Sequence, residues 1–402
     1  MVTAVALPFT AILVLDAGPR ELAGLAFASY LPGALISLVA GAWADRFRRR
    51  LLLITADLGR ALIILWVPAA AYLGVLSLWQ LYGVAFSVGV LSVVFDVTDN
   101  AYLPQIVERE DLVDANARLA AGSSVAEATA FAGGGWLVQL LTAPIALLVD
   151  ALTFIVSAVL IGRIQAPDDP RNSEQPVESR SLRQDIAEGL SFIRSQKVLR
   201  LVVLSNALRS LTVGIFLTLY MLFCVETLKL EPGLLGMIFA LGSISSLVGA
   251  SLASRLAEKL GTVGALIRGY GIYAVAFTLI PLAPDGGWLG IALLAGHQLL
   301  GDGGETLYEV GEASTRQQLT PDDKLGRVNG TVAFLNGSAL LVGALAAGEL
   351  GEWLGLRAAL FCSLAGIYAG VIVLLLVPTT EKSTSAYAST PACEEHPRPP
   401  KS

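Results

Sequence analysis

Long apolar runs separated by short polar stretches recur along the whole chain. A run of about 20 apolar residues can cross the hydrocarbon core of a bilayer as an α-helix. The runs predict twelve spans, near residues 2–16, 22–43, 51–73, 78–101, 119–141, 143–164, 199–226, 232–256, 262–282, 287–315, 326–350 and 356–378. The pattern therefore predicts an all-α integral membrane protein.

The first predicted span is shorter than a bilayer requires. Only residues 2–15 precede Asp16, whereas a crossing helix needs about 20 residues. No basic residue precedes Arg20, and the run is not followed by the small-residue cleavage pattern of a signal peptide. We expect that the first helix is truncated in this sequence.

Composition narrows the class of protein further. Of the 402 residues, 54% are hydrophobic and 15% are charged, whereas soluble proteins carry about 25% charge. A phosphate-binding loop requires a lysine directly after a glycine, and the sequence contains no such pair. This excludes an ATP-driven pump of that kind. The two histidines and three cysteines show no metal-binding spacing. We expect no cofactor, no metal site, no nucleic-acid partner and no enzymatic activity.

The distribution of basic residues predicts the orientation in the membrane. Nearly all of the 27 Lys and Arg residues fall in alternate loops; the other loops carry only Arg20, Lys229 and Arg357, and the spans only Arg60 and Arg209. Because loops rich in Lys and Arg stay in the cytoplasm, the linker and the C-terminal tail are predicted to be cytoplasmic. The predicted location is the inner (plasma) membrane of a bacterial cell.

The chain also repeats itself, which predicts its domain organisation. A shift of 209 positions superposes small residues of the second and eighth spans, namely Gly33, Ser37 and Gly41 on Gly242, Ser246 and Ala250. A shift of 213 positions superposes acids of the fourth and tenth spans, Asp96 and Asp99 on Glu309 and Glu312. We predict two homologous six-helix halves, 1–165 and 198–378. A cytoplasmic linker, 166–197, would carry an amphipathic helix on the membrane surface, and a disordered cytoplasmic tail, 379–402, would follow.

Two sets of motifs resemble a known family. The loop after the second span reads Gly41-Ala42-Trp43-Ala44-Asp45-Arg46-Phe47-Arg48-Arg49-Arg50. It resembles the signature of the major facilitator superfamily, Gly-x-x-x-Asp-Arg followed by basic residues, with Arg48 where the family usually has glycine. Other stretches resemble the bacterial exporters of macrolides and of the siderophore enterobactin: Phe95-Asp96-Val97, Ala101-Tyr102-Leu103-Pro104, Ala115-Asn116 and Val149-Asp150-Ala151.

The resemblance covers nearly the whole chain and implies a fold and a mechanism. The fold would be two six-helix bundles in parallel duplication, rocking about a cavity lined by helices one, four, seven and ten. Drug:proton antiporters of this superfamily usually carry Gly-Pro where this chain has Ala130-Phe131. On this point the sequence departs from the antiporter pattern, although Gly134 and Gly135 remain.

Eight residues near the predicted cytoplasmic ends of the spans are candidates for gating: Gly41, Asp45, Arg46, Arg49, Asp96, Asp99, Glu309 and Glu312. The resemblance implies that Asp45 meets the positive N-terminus of helix eleven, near 325–328, and latches the two halves together. The alternative is that the arginines after Asp45 only set the topology. The four acids of spans four and ten would then simply pair with Arg49 or Arg316.

The tenth span carries a polar stripe. Seven residues fall within one arc of about 140° on a helical projection: His297, Asp302, Glu305, Tyr308, Glu309, Glu312 and Arg316. An ionised carboxylate facing lipid costs about 3 kcal/mol or more, so the stripe is predicted to face a water-filled cavity. Candidates for the substrate-binding wall are Asn206, Arg209, His297, Asp302 and Glu305.

Buried carboxylic acids can also carry protons, because an apolar site favours their neutral form. Candidates for proton coupling are Glu127, Asp302 and Glu305, whereas Asp150 is given a structural role. The leading hypothesis is a monomeric secondary transporter that exports an amphipathic small molecule, such as a drug, natural product or siderophore, in exchange for protons. The alternatives are an inward carrier, a lipid flippase, a channel, or a membrane sensor that binds a ligand without moving it.

Overall fold

The computed structural model describes residues 2–46, 48–107, 112–164 and 182–377, and within these ranges the chain is helical apart from short connections. The helices are α1 (Val2–Leu15), α2 (Pro19–Arg46), α3 (Arg49–Tyr72), α4 (Leu78–Ile106), α5 (Leu112–Leu141), α6 (Ala143–Gly162), α7 (Leu182–Ser195), α8 (Lys197–Leu222), α9 (Pro232–Leu260), α10 (Thr262–Leu282), α11 (Trp288–Leu319), α12 (Asp322–Leu354) and α13 (Leu356–Leu375). A π-helical turn, Phe223–Thr227, continues α8.

The twelve predicted spans correspond to α1–α6 and α8–α13, and the all-α fold with two six-helix bundles is confirmed. Among the described helices, eight are long and apolar enough by themselves to cross a membrane: α3, α4, α6, α8 with its π turn, α9, α10, α12 and α13. The helix α1 is apolar but has 14 residues. The other three helices that correspond to predicted spans, α2, α5 and α11, have 28 to 32 residues and pack in the same bundles.

Tight connections join consecutive helices and fix where each one ends. Gly74 and Gly355 follow α3 and α12 with φ values of 69° and 80°. Glycine adopts this left-handed conformation without the steric penalty of a side chain. Proline begins α2 and α9, at Pro19 and Pro232, where a helix has no use for the missing N–H.

The two halves meet along two pairs of helices, α2 with α12 and α5 with α9. They are in contact at the end of the bundle where α1 joins α2, α5 joins α6 and α12 joins α13, which we call the closed end. There Gly135 of α5 and Gly236 of α9 bring their backbones into direct contact, and neither has room for a Cβ. Small residues allow helices to approach in this way inside a membrane.

Polar contacts cross between the halves at the same closed end. Arg20 at the start of α2 donates two hydrogen bonds of 3.0 Å to the carboxylate of Glu349 on α12. Gln139 of α5 donates to Glu231 (2.7 Å) and accepts from the backbone N–H of Gly233 (2.8 Å). The closed end is therefore fastened by both packing and hydrogen bonds.

The predicted amphipathic helix exists as α7, and its apolar face packs on other helices of the protein, α8 and α12. Ile193 is buried in a small cluster with residues of α8 and α12. Gly189 lies against Thr331, and Glu188 forms a 2.6 Å ion pair with Arg327 of α12. Residues 166–181 of the predicted linker, 166–197, lie outside the described residues, and so does the predicted tail, 379–402. The described part of the linker is attached to the second half at the end opposite the closed end, which we call the linker end.

Candidate functional site in a central cavity

A cavity of about 730 Å³ lies between the two halves at mid-height. Its wall includes residues of α1, α4, α8 and α11, the four helices implied by the resemblance, and also residues of α2, α3, α5, α6, α9 and α10. The wall is mostly apolar and aromatic, with a few charged groups at separate points: Arg60, Glu127, Asp302 and Glu305. This combination is typical of sites for small organic molecules, which have volumes of roughly 300–1,000 Å³.

The acidic stripe of the tenth predicted span is the polar wall of the cavity. Asp302 and Glu305 line it, while Leu299, Leu300 and Val310 lie on the outward face of α11 and are 42–50% exposed. The carboxylate of Asp302 packs against Gly242 of α9, in the place that a Cβ would occupy. Among the residues that the structure describes, no cation lies within ion-pair distance of Asp302, whereas Glu305 has one.

The partner of Glu305 is Arg209 of α8, which forms a close ion pair with it. Arg209 also contacts Glu309 (3.4 Å) and Asn206 (3.3 Å), and its guanidinium lies over the ring of Tyr308. Arg209 and Asn206 were predicted to line the cavity. In the structure neither lines it: Arg209 pairs with Glu305, which does, and Asn206 accepts a hydrogen bond from Arg209.

His297 is in the wall as predicted, but it is enclosed by aromatic rings. Its side chain is buried, with ring centroids at 4.9 Å from Phe277, 5.7 Å from Phe216 and 6.0 Å from Tyr220. Its Nδ1 atom is buried without a hydrogen-bond partner among the described residues. The second half of the molecule thus presents an aromatic surface to the cavity, with Asp302 and Glu305 beside it.

The remaining predicted acids separate into two environments. Glu127 of α5 lines the cavity on the side of the first half and interacts electrostatically with Asp302 across it. Asp150 is buried on α6 and accepts a 2.7 Å hydrogen bond from the backbone N–H of Thr3, and a further bond from the Thr3 hydroxyl. Asp150 therefore fastens α1 to α6, the structural role that the sequence predicted for it.

The structure describes only some of the gating candidates and their contacts. Gly41, Asp45 and Arg46 lie on the last turns of α2, and their side chains are outside the described residues. Arg49 begins α3; its side chain is partly buried and interacts with another residue. Asp96 and Asp99 are exposed on α4. Glu312 pairs with Arg316 at 3.5 Å, one of the two partners considered from the sequence, and Glu309 lies near Arg209. The latch between Asp45 and the eleventh predicted span, which is α12 in the structure, stays a prediction.

One charged group in the cavity wall was not predicted as a site residue. Arg60 of α3 forms a close ion pair with Asp57, one helical turn earlier, and both side chains are at most 8% exposed. Its guanidinium lies between two rings, 4.4 Å from the centroid of Phe95 and 4.5 Å from that of Phe154. The available signal was an Asp and an Arg three residues apart inside an apolar span, where charges are rare and usually functional.

Comparisons with known proteins agree with this architecture. Residues 1–301 match the Major Facilitator Superfamily. An uncharacterized MFS-type transporter of Bacillus subtilis (strain 168), YfiS, is 24% identical over 379 residues, which cover 90% of this chain and 85% of that protein.

Solved structures share the fold. A variant of the nucleoside transporter NupG has a TM-score of 0.79 at 10% identity, covering 94% of this chain and 95% of its own. A bacterial homologue of the iron transporter ferroportin in its inward-facing state has a TM-score of 0.72 at 18% identity, covering 93% and 95%. An outward-facing structure of a bacterial ferroportin homologue, at 19% identity and covering 93% and 96%, has a lower TM-score of 0.54. With two helical bundles around a central cavity and a family match over most of its length, the chain belongs to the Major Facilitator Superfamily of membrane transporters.

Proposed function

We propose that this protein is a secondary active transporter that exports an amphipathic small molecule, such as a drug, natural product or siderophore, in exchange for protons. One observation carries the proposal: the central cavity has aromatic walls and contains two carboxylates, Asp302 and Glu127, without a cationic partner among the described residues. Membrane transport itself follows from the family. The direction of transport is supported by the motifs that resemble macrolide and enterobactin exporters.

The orientation is the first part of the proposal. The basic loops favour a cytoplasmic linker end, so the closed end would face outwards. The higher similarity to an inward-facing than to an outward-facing structure supports this assignment. A reporter enzyme that is active only in the periplasm should be silent when it is fused after Ser195. Activity of that fusion would reverse the orientation and with it the direction of transport.

Coupling follows from the cost of an uncompensated charge. An ionised Asp302 without a counter-charge, in a wall that is mostly apolar, is unfavourable unless something neutralises it. Either a cationic or hydrogen-bonding group of the cargo or a proton can do so, and the two would compete for the same carboxylate. Cargo would leave to the outside as a proton takes its place, and the proton would leave to the cytoplasm when new cargo binds.

The test separates coupling from movement. In proteoliposomes, Asp302→Asn and Glu127→Gln should abolish accumulation of an amphipathic dye against its gradient. Dye exchange at equal pH on both sides should persist, because an amide in place of the carboxylate still accepts a hydrogen bond from the cargo, and rocking does not need the proton. Glu352→Gln, an exposed acid at the closed end, is the matched control and should behave as wild type. Full uphill transport in both cavity variants would refute coupling through these acids, and binding without any turnover in wild type would indicate a sensor.

A further inference from the structure

The ion pair of the first half, Asp57 with Arg60, is not used by the proposed coupling. Arg60 lines the cavity, and so do Ser92 and Phe154 beside it. The two rings restrict the guanidinium through cation–π contacts. A buried arginine held in this way presents its N–H groups in fixed directions.

The hydrogen bonds of this guanidinium are incomplete. Its Nη2 atom donates to Asp57, while Nη1 reaches only Ser92, at 3.4 Å. A distance of 3.4 Å is long for a hydrogen bond. The Nε atom is buried without a partner among the described residues, and so is Oδ2 of Asp57. Buried donors are rarely left unpaired, so Arg60 has hydrogen-bonding capacity that the described residues do not use.

The charge around Arg60 is already balanced. Asp57 offsets it directly, and Asp96 on α4 interacts with it electrostatically. Net attraction for an anion is therefore small, and Arg60 would recognise a ligand through directed hydrogen bonds. A guanidinium has five N–H donors, so it can hold Asp57 on one edge and a second carboxylate on the other.

We propose that Arg60, with Ser92, is a subsite for an acidic group of the cargo. The cavity is also lined by the carboxylates of Asp302 and Glu127, which suit a cationic or hydrogen-donating group. The aromatic residues of the same wall suit a flat ring system. The cargo class is thus a dipolar aromatic amphipath that carries an acidic group as well as a basic one. This inference rests on the proposed function and narrows its substrate class.

Binding of two dyes that differ by one acidic group tests the subsite directly. Rhodamine 110 carries a free carboxylic acid, and rhodamine 123 is its methyl ester. Fluorescence polarisation with the purified full-length chain in detergent measures binding without any gradient. Arg60→Gln should weaken binding of the acid by about tenfold, the effect of losing one charge-assisted hydrogen bond, and should leave the ester unchanged. Arg268→Gln, an exposed arginine of α10, is the matched control for the substitution.

A second variant separates recognition from folding. Arg60→Gln leaves Asp57 buried without its counter-ion, which destabilises the protein. The double variant Asp57→Asn with Arg60→Gln removes both charges, so it should recover thermal stability but not binding of the acid. Recovery of acid binding in the double variant, or equal loss of both dyes in Arg60→Gln, would overturn the subsite and make the pair structural.

The wild-type protein gives a further check. Binding of the ester without the acid would overturn the subsite but leave the proposed function in place. If neither dye binds, the dipolar aromatic cargo class and its subsite are wrong, and the transport assay with the Asp302 and Glu127 variants decides the proposed function separately.

Discussion

Replacing Gly135 by alanine should open the closed end of the molecule. A Cβ at this position would collide with the carbonyl oxygen of Pro232 and with the backbone of Gly236 on the facing helix. Backbone atoms cannot rotate away as a side chain can, so α5 and α9 must move apart. Such overpacking typically costs about 1–3 kcal/mol.

This cost applies only while the closed end is closed. If the halves separate there during transport, the same free energy shifts the equilibrium between the two conformations by about five- to 150-fold toward the form open at this end. Alanine also favours a helix over glycine by about 1 kcal/mol. That gain is present in both conformations and cancels.

Gly133 provides a matched control on the same helix. A Cβ there meets no atom within 4 Å among the described residues, so Gly133→Ala has the same helix propensity effect without the collision. The equilibrium should therefore respond to alanine at Gly135 and not at Gly133.

Double electron–electron resonance can measure the opening. Spin labels at Tyr72 and Trp288, two highly exposed positions at the closed end on opposite halves, would follow the separation after Cys224, Cys362 and Cys393 are replaced. Gly135→Ala should add a population at longer distance that wild type and Gly133→Ala lack. An unchanged distance distribution in Gly135→Ala, or the same change in both variants, would refute the account of the closed end.

Three further changes test other contacts. Glu349→Gln removes the ion pair with Arg20. Because both side chains are half exposed, it should shift the same equilibrium only slightly, and less at high salt. Restoration by the exchange Arg20→Glu with Glu349→Arg would confirm a direct pair. Ile193→Ala should lower the free energy of unfolding by about 2–4 kcal/mol, since Ile193 of α7 is 3% exposed and packs against α8 and α12. Ser191→Ala, at an exposed position of the same helix, should have no effect. Equal melting temperatures of the two variants would show that α7 is only loosely attached. Asp45→Asn should leave the protein abundant in the membrane but slow its transport, and unchanged transport at equal expression would favour a purely topogenic loop.

The sequence was sufficient for the spans, because each one is decided locally. A helix in a membrane satisfies its own backbone hydrogen bonds, so an apolar run of sufficient length predicts it without knowledge of its neighbours. The same reasoning predicted the inward face of α11, since Asp302 and Glu305 cannot face lipid and Leu299 and Leu300 can. The duplication was visible because matching acids and glycines recur at a nearly constant shift.

Only the tertiary structure decided which charges meet. Arg209 was a reasonable candidate for the cavity wall, and no periodic pattern could show that it pairs with Glu305, 96 positions later in the chain. Arg60 reaches the cavity because Phe95 and Phe154, from two other helices, hold it there. The face of α7 was predicted to be apolar, but an apolar face suits lipid and protein equally, so its partner α12 could not be known. A sequence determines how polar each face of a helix is, whereas the identity of its partner depends on long-range packing that brings distant segments together.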